Sequence, residues 1–579
     1  MRPWRGVRRI TARVESPAPD RRGILPAMSR ILISFALAAL CAVMPVPSFA
    51  QSVNEPALLV QPVASGLAQP TTMAFIGPND ILVLQKADGN VRRITGGVLQ
   101  AAPVLDVAVD SSSERGLLGI AVDPDFAVTR HVYLSYTESS TGADTNGVTP
   151  LGNRIYRYDW NGSALVNPLL VFDLPATPGP NHDGGVIAFG PDGFLYGVIG
   201  DLNRNGKLQN IAAGPDPDDT GVIWRIDAIT GLGAADNPFV TPAEPAPRMN
   251  RYYAYGVRNS FGLTFDPATG RLWDTENGPN NYDEVNRIVS GFNSGWNRLM
   301  GPASRDAQGT SDLWVAPGST YRDPDFSWNA TVAPTALVFP ASPLLGCVLK
   351  DQLIVGDNNC GQLYRFTLDA ARNTLTFTSP PLLDRVADNL GNRCADEMTE
   401  ILFGGSFGAV TDLEIGPDGW LYVVSLTLGQ VLRIGPRAGS FPDGDGDGVN
   451  DACDCAALDA GTYASPGAIP RMRLSGTPPY ALFWDALAGV AGPATTTAVV
   501  SGRATALRAD HGYASACDLA VSQAGTTLVD ARADPPPGEA YYYLVRAQNA
   551  CGAGTFGDGT PVPDPRDALD SGTRPPCGG

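Results

Sequence analysis

The sequence predicts an all-β protein whose main body, residues 60–436, is a six-bladed β-propeller. Six times an arginine precedes an apolar or aromatic residue at the end of a strand-like phrase, at intervals of 62 to 78 residues: Arg93-Ile94, Arg157-Tyr158, Arg225-Ile226, Arg287-Ile288, Arg365-Phe366 and Arg433-Ile434. Most of these phrases follow another, in which a turn interrupts an apolar strand, as in residues 188–196 and 414–422. A unit of about 65 residues used six times is typical of a radial β-array, because one small sheet cannot bury both of its faces.

Two further segments follow the predicted propeller. The repeat ends at Gly435-Pro436, and residues 437–470 form an Asp/Gly-rich linker. Residues 471–579 contain strand-like runs at 480–484, 498–501 and 541–547, separated by Gly, Pro and Asp turns. This pattern predicts a small β-sandwich, loosely like a fibronectin type III module, with a Pro/Asp-rich tail from residue 561.

The N-terminus predicts an exported protein. Residues 28–50 have a short basic start, an apolar core and small residues before a cleavage point after Ala50, as a secretory signal does. We take Met28 as the true start and residues 1–50 as the signal region. Cys41 follows Leu40, which is too bulky for a lipoprotein cleavage site. We therefore expect a secreted, periplasmic or cell-surface protein without a transmembrane segment.

Charge and cysteine content narrow the class of protein further. The formal net charge is −18, and the first 50 residues hold eight arginines against two acids, so the remainder is more acidic still. Nucleic acid and anionic membranes would be repelled. Removing Cys41 leaves eight cysteines, an even number that favours disulfides in an exported chain without showing which pairs form. Their spacings do not suggest zinc.

One loop of the predicted propeller contains residues suited to catalysis. It reads Pro180-Asn-His-Asp-Gly-Gly185. The two glycines would let the backbone approach a ligand closely, and His182 is suited to act as a base near neutral pH. The alternative is that His182 is an ordinary polar surface group.

A second segment offers oxygen donors and a cation. Residues 255–259 contain Arg258 and an amide, and residues 275–284 contain a Gly-Pro turn followed by Asp283 and Glu284. Hard oxygen donors suit calcium, and an adjacent arginine suits an anionic ligand. The alternative is that Arg258 and Glu284 only pair with each other within a blade.

The linker contains a predicted calcium loop at residues 443–454. Its aspartates fall at positions 1, 3, 5, 9 and 12 of a twelve-residue calcium loop, with a glycine at position 6: Asp443, Asp445, Asp447, Asp451, Asp454 and Gly448. Flanking helices are not evident, so the segment resembles a thrombospondin type 3 repeat more than an EF-hand. The alternative is a solvated acidic spacer.

These segments, taken in order, resemble the soluble quinoprotein glucose/sorbosone dehydrogenase family, which includes aldose sugar dehydrogenases that use pyrroloquinoline quinone (PQQ). The resemblance covers roughly residues 60–436. Its matching motifs are residues 114–119 with 123–126, 181–185, 199–201, 224–227 with 236–239, 256–259, 276–279 with 283–284, and 331–334. The resemblance implies a six-bladed propeller that oxidises a sugar with the help of calcium.

The resemblance also implies a role for each matched residue. His182 matches the base that takes the sugar hydroxyl proton, while Asn181 and Asp201 match positions that hold the substrate, Asp201 also orienting the histidine. Gly278 and Pro279 match backbone calcium ligands, and the metal region also includes Asp283 and Glu284. The residues that match cofactor contacts are Glu114, where many members have a glutamine, and Arg258, Asn259, Asn277 and Thr331.

Three cations that family members use to bind the quinone carboxylates are absent. The matching regions, in the fifth and sixth blades, are residues 355–360 and 407–412, and neither contains Lys or Arg. Each charge-assisted contact is worth roughly 1.5–3 kcal/mol, so we expect quinone binding to be weakened by several orders of magnitude. Val186 also stands where an arginine often follows the Gly-Gly pair, and Asn277 replaces the usual Gln or His.

The sequence favours an exported dehydrogenase that oxidises an aldose or related alcohol with PQQ and calcium and passes electrons to an unknown acceptor. The alternative is a non-catalytic propeller of the same family that binds a surface glycan or a protein, as in hedgehog-interacting proteins. A calcium-dependent lactonase lacks support, because only Asp283 and Glu284 align with a metal.

Overall fold

The computed structural model describes residues 50–240, 249–347, 349–350, 352–469, 471–475, 480–510, 512–557, 564–570 and 572–578. The predicted signal region lies outside these residues except for Ala50. Strands dominate the described residues and helices are few and short, which confirms the all-β class. No described helix has the length and apolar character needed to cross a bilayer.

Thirty strands lie between residues 52 and 436 of the described chain. They are β1 Ser52–Val53, β2 Leu58–Ser65, β3 Pro70–Gly77, β4 Asp80–Gln85, β5 Asn90–Thr95, β6 Val98–Leu99, β7 Leu105–Asp106, β8 Leu117–Val122, β9 His131–Glu138, β10 Gly152–Trp160, β11 Leu165–Leu174, β12 Ile187–Phe189, β13 Leu195–Ile199, β14 Val222–Ile226, β15 Tyr252–Tyr255, β16 Gly262–Phe265, β17 Leu272–Glu276, β18 Asp283–Ile288, β19 Phe292–Asn293, β20 Thr320–Tyr321, β21 Phe326–Trp328, β22 Pro334–Val338, β23 Gln352–Asp357, β24 Leu363–Leu368, β25 Leu375–Thr376, β26 Val386–Ala387, β27 Leu402–Gly405, β28 Val410–Ile415, β29 Leu421–Ser425 and β30 Gln430–Pro436.

Seven strands and four α-helices complete the regular structure of the described residues. The strands are β31 Met472–Leu474, β32 Ala481–Trp484, β33 Thr496–Arg503, β34 Cys517–Gln523, β35 Thr527–Val529, β36 Tyr541–Asn549 and β37 Gly552–Ala553. The helices are α1 Phe126–Thr129, α2 Ala488–Ala491, α3 Ala504–Asp510 and α4 Asp567–Asp570, and short 3₁₀ turns occur at Lys207–Gln209, Met249–Arg251, Ala303–Arg305, Pro343–Leu345 and Pro380–Leu382.

Strands β1 to β30 form six sheets. Their orders are β3-β4-β5-β6 with β7 beside β5, β8-β9-β10-β11, β12-β13-β14-β15-β19-β20, β16-β17-β18-β21-β26, β22-β23-β24-β27-β1 with β25 beside β24, and β28-β29-β30-β2. The N-terminal strand β2 pairs antiparallel with β30 and so completes the last sheet. The first strand of each sheet in this order is called its inner strand: β3, β8, β12, β16, β22 and β28.

The inner strands form a closed cycle. Each contacts the inner strand of the next sheet, and β28 contacts β3. Each inner strand is also the terminal strand of its sheet, so one of its edges has no neighbouring strand. Core clusters fill the spaces between neighbouring sheets, as where Tyr133 and Phe172 pack with Trp224 and Tyr255. The propeller-type fold that the repeat predicts is confirmed.

The repeated Arg phrase has a structural cause. Arg225 on β14 pairs with Asp192 in the turn between β12 and β13, at 2.9 Å, and its guanidinium lies 4.3 Å from the Phe194 ring centre. Arg433 makes the corresponding contact with Asp418 at 3.4 Å. The arginine therefore ties a strand to the turn of the preceding hairpin, and the Pro-Asp-Gly turn supplies its carboxylate.

The C-terminal residues form two antiparallel sheets, β31-β32-β35 and β34-β33-β36-β37. Leu482 and Trp484 of the first pack with Val499 and Val545 of the second, so the two sheets share a core. The eight cysteines form four disulfides, as their even number predicts: Cys347–Cys453, Cys360–Cys394, Cys455–Cys551 and Cys517–Cys577. Two of these attach the linker at Cys453 and Cys455, one to residue 347 and one to the C-terminal sheets.

Candidate active site

Six of the predicted site residues lie in loops that lead into the inner strands. Glu114 precedes β8, His182 precedes β12, Arg258 and Asn259 precede β16, and Thr331 precedes β22. The inner strands lie side by side in the cycle, so these loops are neighbours at one end of it. Hydrogen bonds between the loops show that the first four of these residues are brought together.

His182 is held by a buried carboxylate. Its Nδ1 lies 2.6 Å from Asp201 Oδ1, and Trp296 Nε1 donates to Asp201 Oδ2, also at 2.6 Å. With the Nδ1 proton directed at Asp201, Nε2 keeps its lone pair, and no described residue forms a hydrogen bond to it. His182 is only 7% exposed, so it is not an ordinary surface histidine. This arrangement suits a general base.

Glycines allow the His182 loop to pack closely against neighbouring segments. A Cβ at Gly200 would lie 2.4 Å from the His182 carbonyl oxygen, and one at Gly185 would lie 2.7 Å from Leu118 Cβ. Gly185 also has a φ of +98°, which side chains disfavour. The sequence interpretation assigns Gly184 and Gly185 to the approach of a ligand, whereas in the structure they allow the approach of the loop to adjacent strands.

Glu114 connects three loops of the site. Its Oε2 accepts hydrogen bonds from His182 N at 2.5 Å and from Asn259 Nδ2 at 3.1 Å. Asn181, next to the histidine, accepts a hydrogen bond from Ser113 Oγ at 2.6 Å. A carboxylate at position 114 therefore fixes the backbone of the base and the amide of Asn259.

Arg258 connects Asp201, the partner of His182, to the turn that contains Asn277 and Gly278. Its carbonyl oxygen accepts from Asp201 N at 2.9 Å. Its guanidinium donates to the carbonyl oxygens of Asn277 and Gly278, at 2.7 and 3.1 Å, and lies 5.2 Å from the Trp296 ring centre. The guanidinium thus bonds to the Gly278 carbonyl oxygen, which the resemblance assigns to calcium.

The Arg258 guanidinium has no carboxylate within salt-bridge distance in the described residues, and burial lowers its pKa. Its backbone N–H donates to Glu276 Oε1 at 2.6 Å. The alternative in which Arg258 pairs with Glu284 is therefore not what the structure shows. A half-buried cation without a carboxylate partner suits an anionic ligand.

Asp283 and Glu284 lie on opposite sides of β18, because side chains alternate along a strand. Asp283 accepts from Gly278 N at 2.9 Å and from Ala333 N at 2.6 Å, and so supports the backbone of both turns. Glu284 accepts from Gly301 N at 2.6 Å instead. Burial raises the pKa of both carboxyls, that of Asp283 to about 6. The structure therefore brings Asp283, and not Glu284, to Gly278; Pro279 is exposed beside it.

The residues fit one part of the quinone and calcium that the resemblance implies. Arg258 Nε, Asn259 Oδ1 and Asn277 Oδ1 are buried atoms without hydrogen-bond partners. The two amide oxygens are donors that suit calcium, and the guanidinium is a cation that suits a carboxylate. Thr331 is half-buried and lies two residues before Ala333, whose N–H donates to Asp283.

The segments of the fifth and sixth sheets that match the family's quinone-binding cations contain no Lys or Arg. In residues 355–360, Asp357 is buried and its Oδ1 accepts from Cys360 N and Gly361 N, both at 2.7 Å. In residues 407–412, Phe407 and Ala409 are buried. The positions where family members have cations thus hold a turn-forming aspartate and apolar side chains. This half of the site does not fit a tricarboxylate.

The acidic loop brings three of its five aspartates together. Carboxylate oxygens of Asp443, Asp445 and Asp447 lie within 4.8 Å of one another. Burial, followed by repulsion from neighbouring aspartates including Asp454, raises the pKa of Asp447. Asp451 accepts from Gly444 N at 2.8 Å, across the loop.

Sequence reasoning missed Trp296 and Asp183. Trp296 lies 95 positions from the aspartate that it contacts, and only its place in a Gly/Asn-rich loop marked it. Asp183 directly follows the histidine. Burial raises the pKa of Asp183 to about 7, although the 3.0 Å hydrogen bond from Asn153 acts to lower it. The sequence signal that could have revealed Asp183 is its place in the Asn-His-Asp motif.

The fold and the site define a propeller-type protein with a buried histidine–carboxylate pair at one end of its inner strands. The family model for glucose/sorbosone dehydrogenases matches residues 67–433, more than half of the chain. The chain therefore belongs to the glucose/sorbosone dehydrogenase family, as its ordered motifs predict.

Three comparisons illustrate this relationship. The aldose sugar dehydrogenase of Escherichia coli strain K12 is 25% identical over 389 residues, which cover 65% of this chain and 93% of the relative. Quinoprotein glucose dehydrogenase B of Acinetobacter calcoaceticus is 30% identical over 281 residues, but the match spans only 57% of that protein and 45% of this chain. A crystal structure described as a putative glucose dehydrogenase from Thermus thermophilus has a TM-score of 0.51 and 28% identity, covering 65% of this chain and 99% of that one. These relatives support a sugar dehydrogenase-like oxidoreductase.

Proposed function

We propose that residues 60–436 form a six-bladed propeller that oxidises a CH–OH group of an aldose or related alcohol, with PQQ and calcium as cofactors. The observation that carries this proposal is the buried pair of His182 and Asp201, with the histidine Nε2 left free of protein partners. Six sheets in a closed cycle of inner strands support the blade number.

Each residue of the pair has a defined task in this proposal. His182 Nε2 takes the proton of the sugar hydroxyl, and Asp201 stabilises the imidazolium that forms. Trp296 and Asn203 hold Asp201 in place through hydrogen bonds of 2.6 and 2.7 Å. When bound near Arg258 and Gly278, PQQ would accept the hydride and calcium would polarise the accepting carbonyl.

Three further features belong to the same proposal. The four disulfides support export to an oxidising compartment, after removal of residues 1–50. The convergence of Asp443, Asp445 and Asp447 supports a calcium-binding linker. The two packed C-terminal sheets support a β-sandwich of the fibronectin type III kind.

A second candidate function is binding of a glycan or protein without redox chemistry. The observation that favours it is the absence of Lys and Arg from residues 355–360 and 407–412, where the quinone carboxylates would need them. Both candidates use the same end of the propeller, so the difference lies in cofactor binding and turnover.

Aldose oxidation by the purified full-length mature protein distinguishes the two candidates. The assay supplies an artificial electron-accepting dye, calcium and PQQ at a series of concentrations up to the millimolar range. The proposed function predicts turnover that depends on both added PQQ and calcium. Glycan binding with no turnover at any PQQ concentration would favour the non-catalytic candidate.

A further inference from the structure

A cavity of about 260 Å³ lies at the centre of the cycle of inner strands. Its lining includes residues of all six inner strands, and none of them is Lys, Arg or His. Most of the lining residues have apolar side chains, as at Ile120, Ile187 and Leu337. Asp412 and Glu414, both on β28, are the only titratable groups in the lining.

The two carboxylates lie on the same side of β28, because they are two residues apart on a strand. Asp412 is fixed by backbone amides: its Oδ2 accepts from Met73 N at 2.8 Å and its Oδ1 accepts from Leu413 N at 2.9 Å. These bonds favour the ionised form of Asp412. Glu414 has no hydrogen bond or ion pair to any described residue, and the charge that acts on it is that of Asp412.

Asp412 and Glu414 are both half-buried, and two like charges that share a cavity are unfavourable without a compensating positive charge. Burial raises the pKa of Asp412 to about 7, and burial together with repulsion from Asp412 raises the pKa of Glu414 well above its usual range. No Lys, Arg or His of the lining supplies that charge, which leaves a bound cation or a retained proton.

We propose that the central cavity binds a hard divalent cation of the calcium type, with Asp412 and Glu414 as its carboxylate ligands. The open edges of the six inner strands present backbone N–H and C=O groups, of which the carbonyl oxygens can serve as ligands, and Thr264 in the lining adds a hydroxyl group. Calcium takes six to eight oxygen ligands, including water, and a cavity of this volume has room for several waters at about 30 Å³ each. This site is separate from both Gly278–Pro279 and the 443–454 loop.

The test uses Ca²⁺ alone and the full-length mature protein. Calorimetric titration compares the wild type, Glu414→Gln, and the control Glu55→Gln, which removes a glutamate outside the cavity. Loss of a carboxylate ligand should weaken one class of calcium site by at least roughly 10- to 100-fold, and the control should match the wild type. Because calcium displaces a retained proton, the wild type should also release protons on binding, measured in two buffers of different ionisation enthalpy.

Crystals soaked in Tb³⁺ locate the site directly. The proposal predicts an anomalous peak within about 2.3–2.6 Å of the Asp412 or Glu414 carboxylate oxygens, which Glu414→Gln abolishes. Glu414→Gln removes an enclosed charge and should fold, as circular dichroism would verify; Asp412→Asn serves as the second variant. Terbium found only at other sites, or a peak that persists unchanged in both variants, overturns the proposal and leaves a retained proton as the compensating charge.

Discussion

The two sides of the candidate site differ sharply in how they are built. On the side of the second to fourth sheets, His182, Asp201 and Arg258 belong to one network of hydrogen bonds of 2.5 to 3.1 Å that also includes Glu114 and Trp296. On the side of the fifth and sixth sheets, residues 355–360 and 407–412 supply no cation. A histidine–carboxylate pair that suits proton removal is present on the first side, while the second side lacks the Lys and Arg that family members use to bind the quinone carboxylates.

This difference separates two properties that are usually considered together. In the proposed function, proton abstraction depends on the position of His182, which its contact with Asp201 fixes without any cofactor. Quinone affinity depends on charged partners, which act at the other side of the site. A protein with only the first property can turn over slowly at high quinone concentration, or it can use the same surface for binding alone.

The largest expected effect is that of removing the base. His182→Ala should lower dye-linked aldose oxidation by roughly 10²–10⁴-fold, because a positioned general base typically contributes that much. The fold should be unchanged by circular dichroism, since the side chain bonds only to Asp201. Wild-type turnover in the variant would exclude His182 as the base.

The next-largest expected effect is a gain in PQQ affinity when cations are added on the side that lacks them. The double variant Ala409→Arg/Thr411→Arg should bind PQQ at least roughly tenfold more tightly, because each charge-assisted contact is worth roughly 1.5–3 kcal/mol. Ala409 is buried and Thr411 donates to the Pro70 carbonyl at 3.0 Å. The control Ala409→Gln/Thr411→Gln therefore separates charge from side-chain size. Equal affinity in both double variants would show that the carboxylates bind elsewhere.

A smaller loss is expected from Trp296→Phe. This change keeps an aromatic ring next to Arg258 but removes the 2.6 Å hydrogen bond to Asp201 Oδ2. We expect kcat to fall by about tenfold with KM nearly unchanged, because the loss of one hydrogen bond to a charged group costs roughly 1.5–3 kcal/mol. The measurement is steady-state kinetics across substrate concentrations; a change confined to KM would place Trp296 in substrate binding instead.

The smallest effect on activity should come from the linker. No Lys or Arg lies between Asp443 and Asp454 to neutralise its aspartates, so calcium is expected to order it, in the weak extracellular range of roughly 10⁻⁴–10⁻³ M. Chelation should increase proteolysis between residues 437 and 470 while the flanking domains stay folded, and Asp447→Ala should do the same without chelator. The disulfides at Cys453 and Cys455 can hold cleaved pieces together, so reducing and non-reducing gels are compared. Cleavage that responds to neither treatment means that the segment is only a spacer.

The fold was predictable from the sequence because its repeat has a local cause. In three of the six phrases the arginine of one strand reaches an aspartate at the preceding turn, as Arg225 reaches Asp192. His182, Asp201 and Arg258 were also predictable, because each lies in a short motif that matches the family.

Other parts of the site depend on contacts between distant residues. The sequence did not reveal that Trp296 donates to Asp201, because 95 positions separate them. It also could not pair the cysteines, and it grouped Glu284 with Asp283 although alternation along β18 directs them to opposite sides. Sequence patterns thus locate side chains that act through their own segment, whereas tertiary packing decides which partner each one meets.

Calorimetric titration of the unmodified protein with PQQ in excess calcium tests the contrast between the two sides most directly. We expect weak or undetectable binding by the wild type, and measurable binding by Ala409→Arg/Thr411→Arg under the same conditions. Tight one-to-one binding by the wild type would contradict it, because the site would then hold the quinone carboxylates without the missing cations.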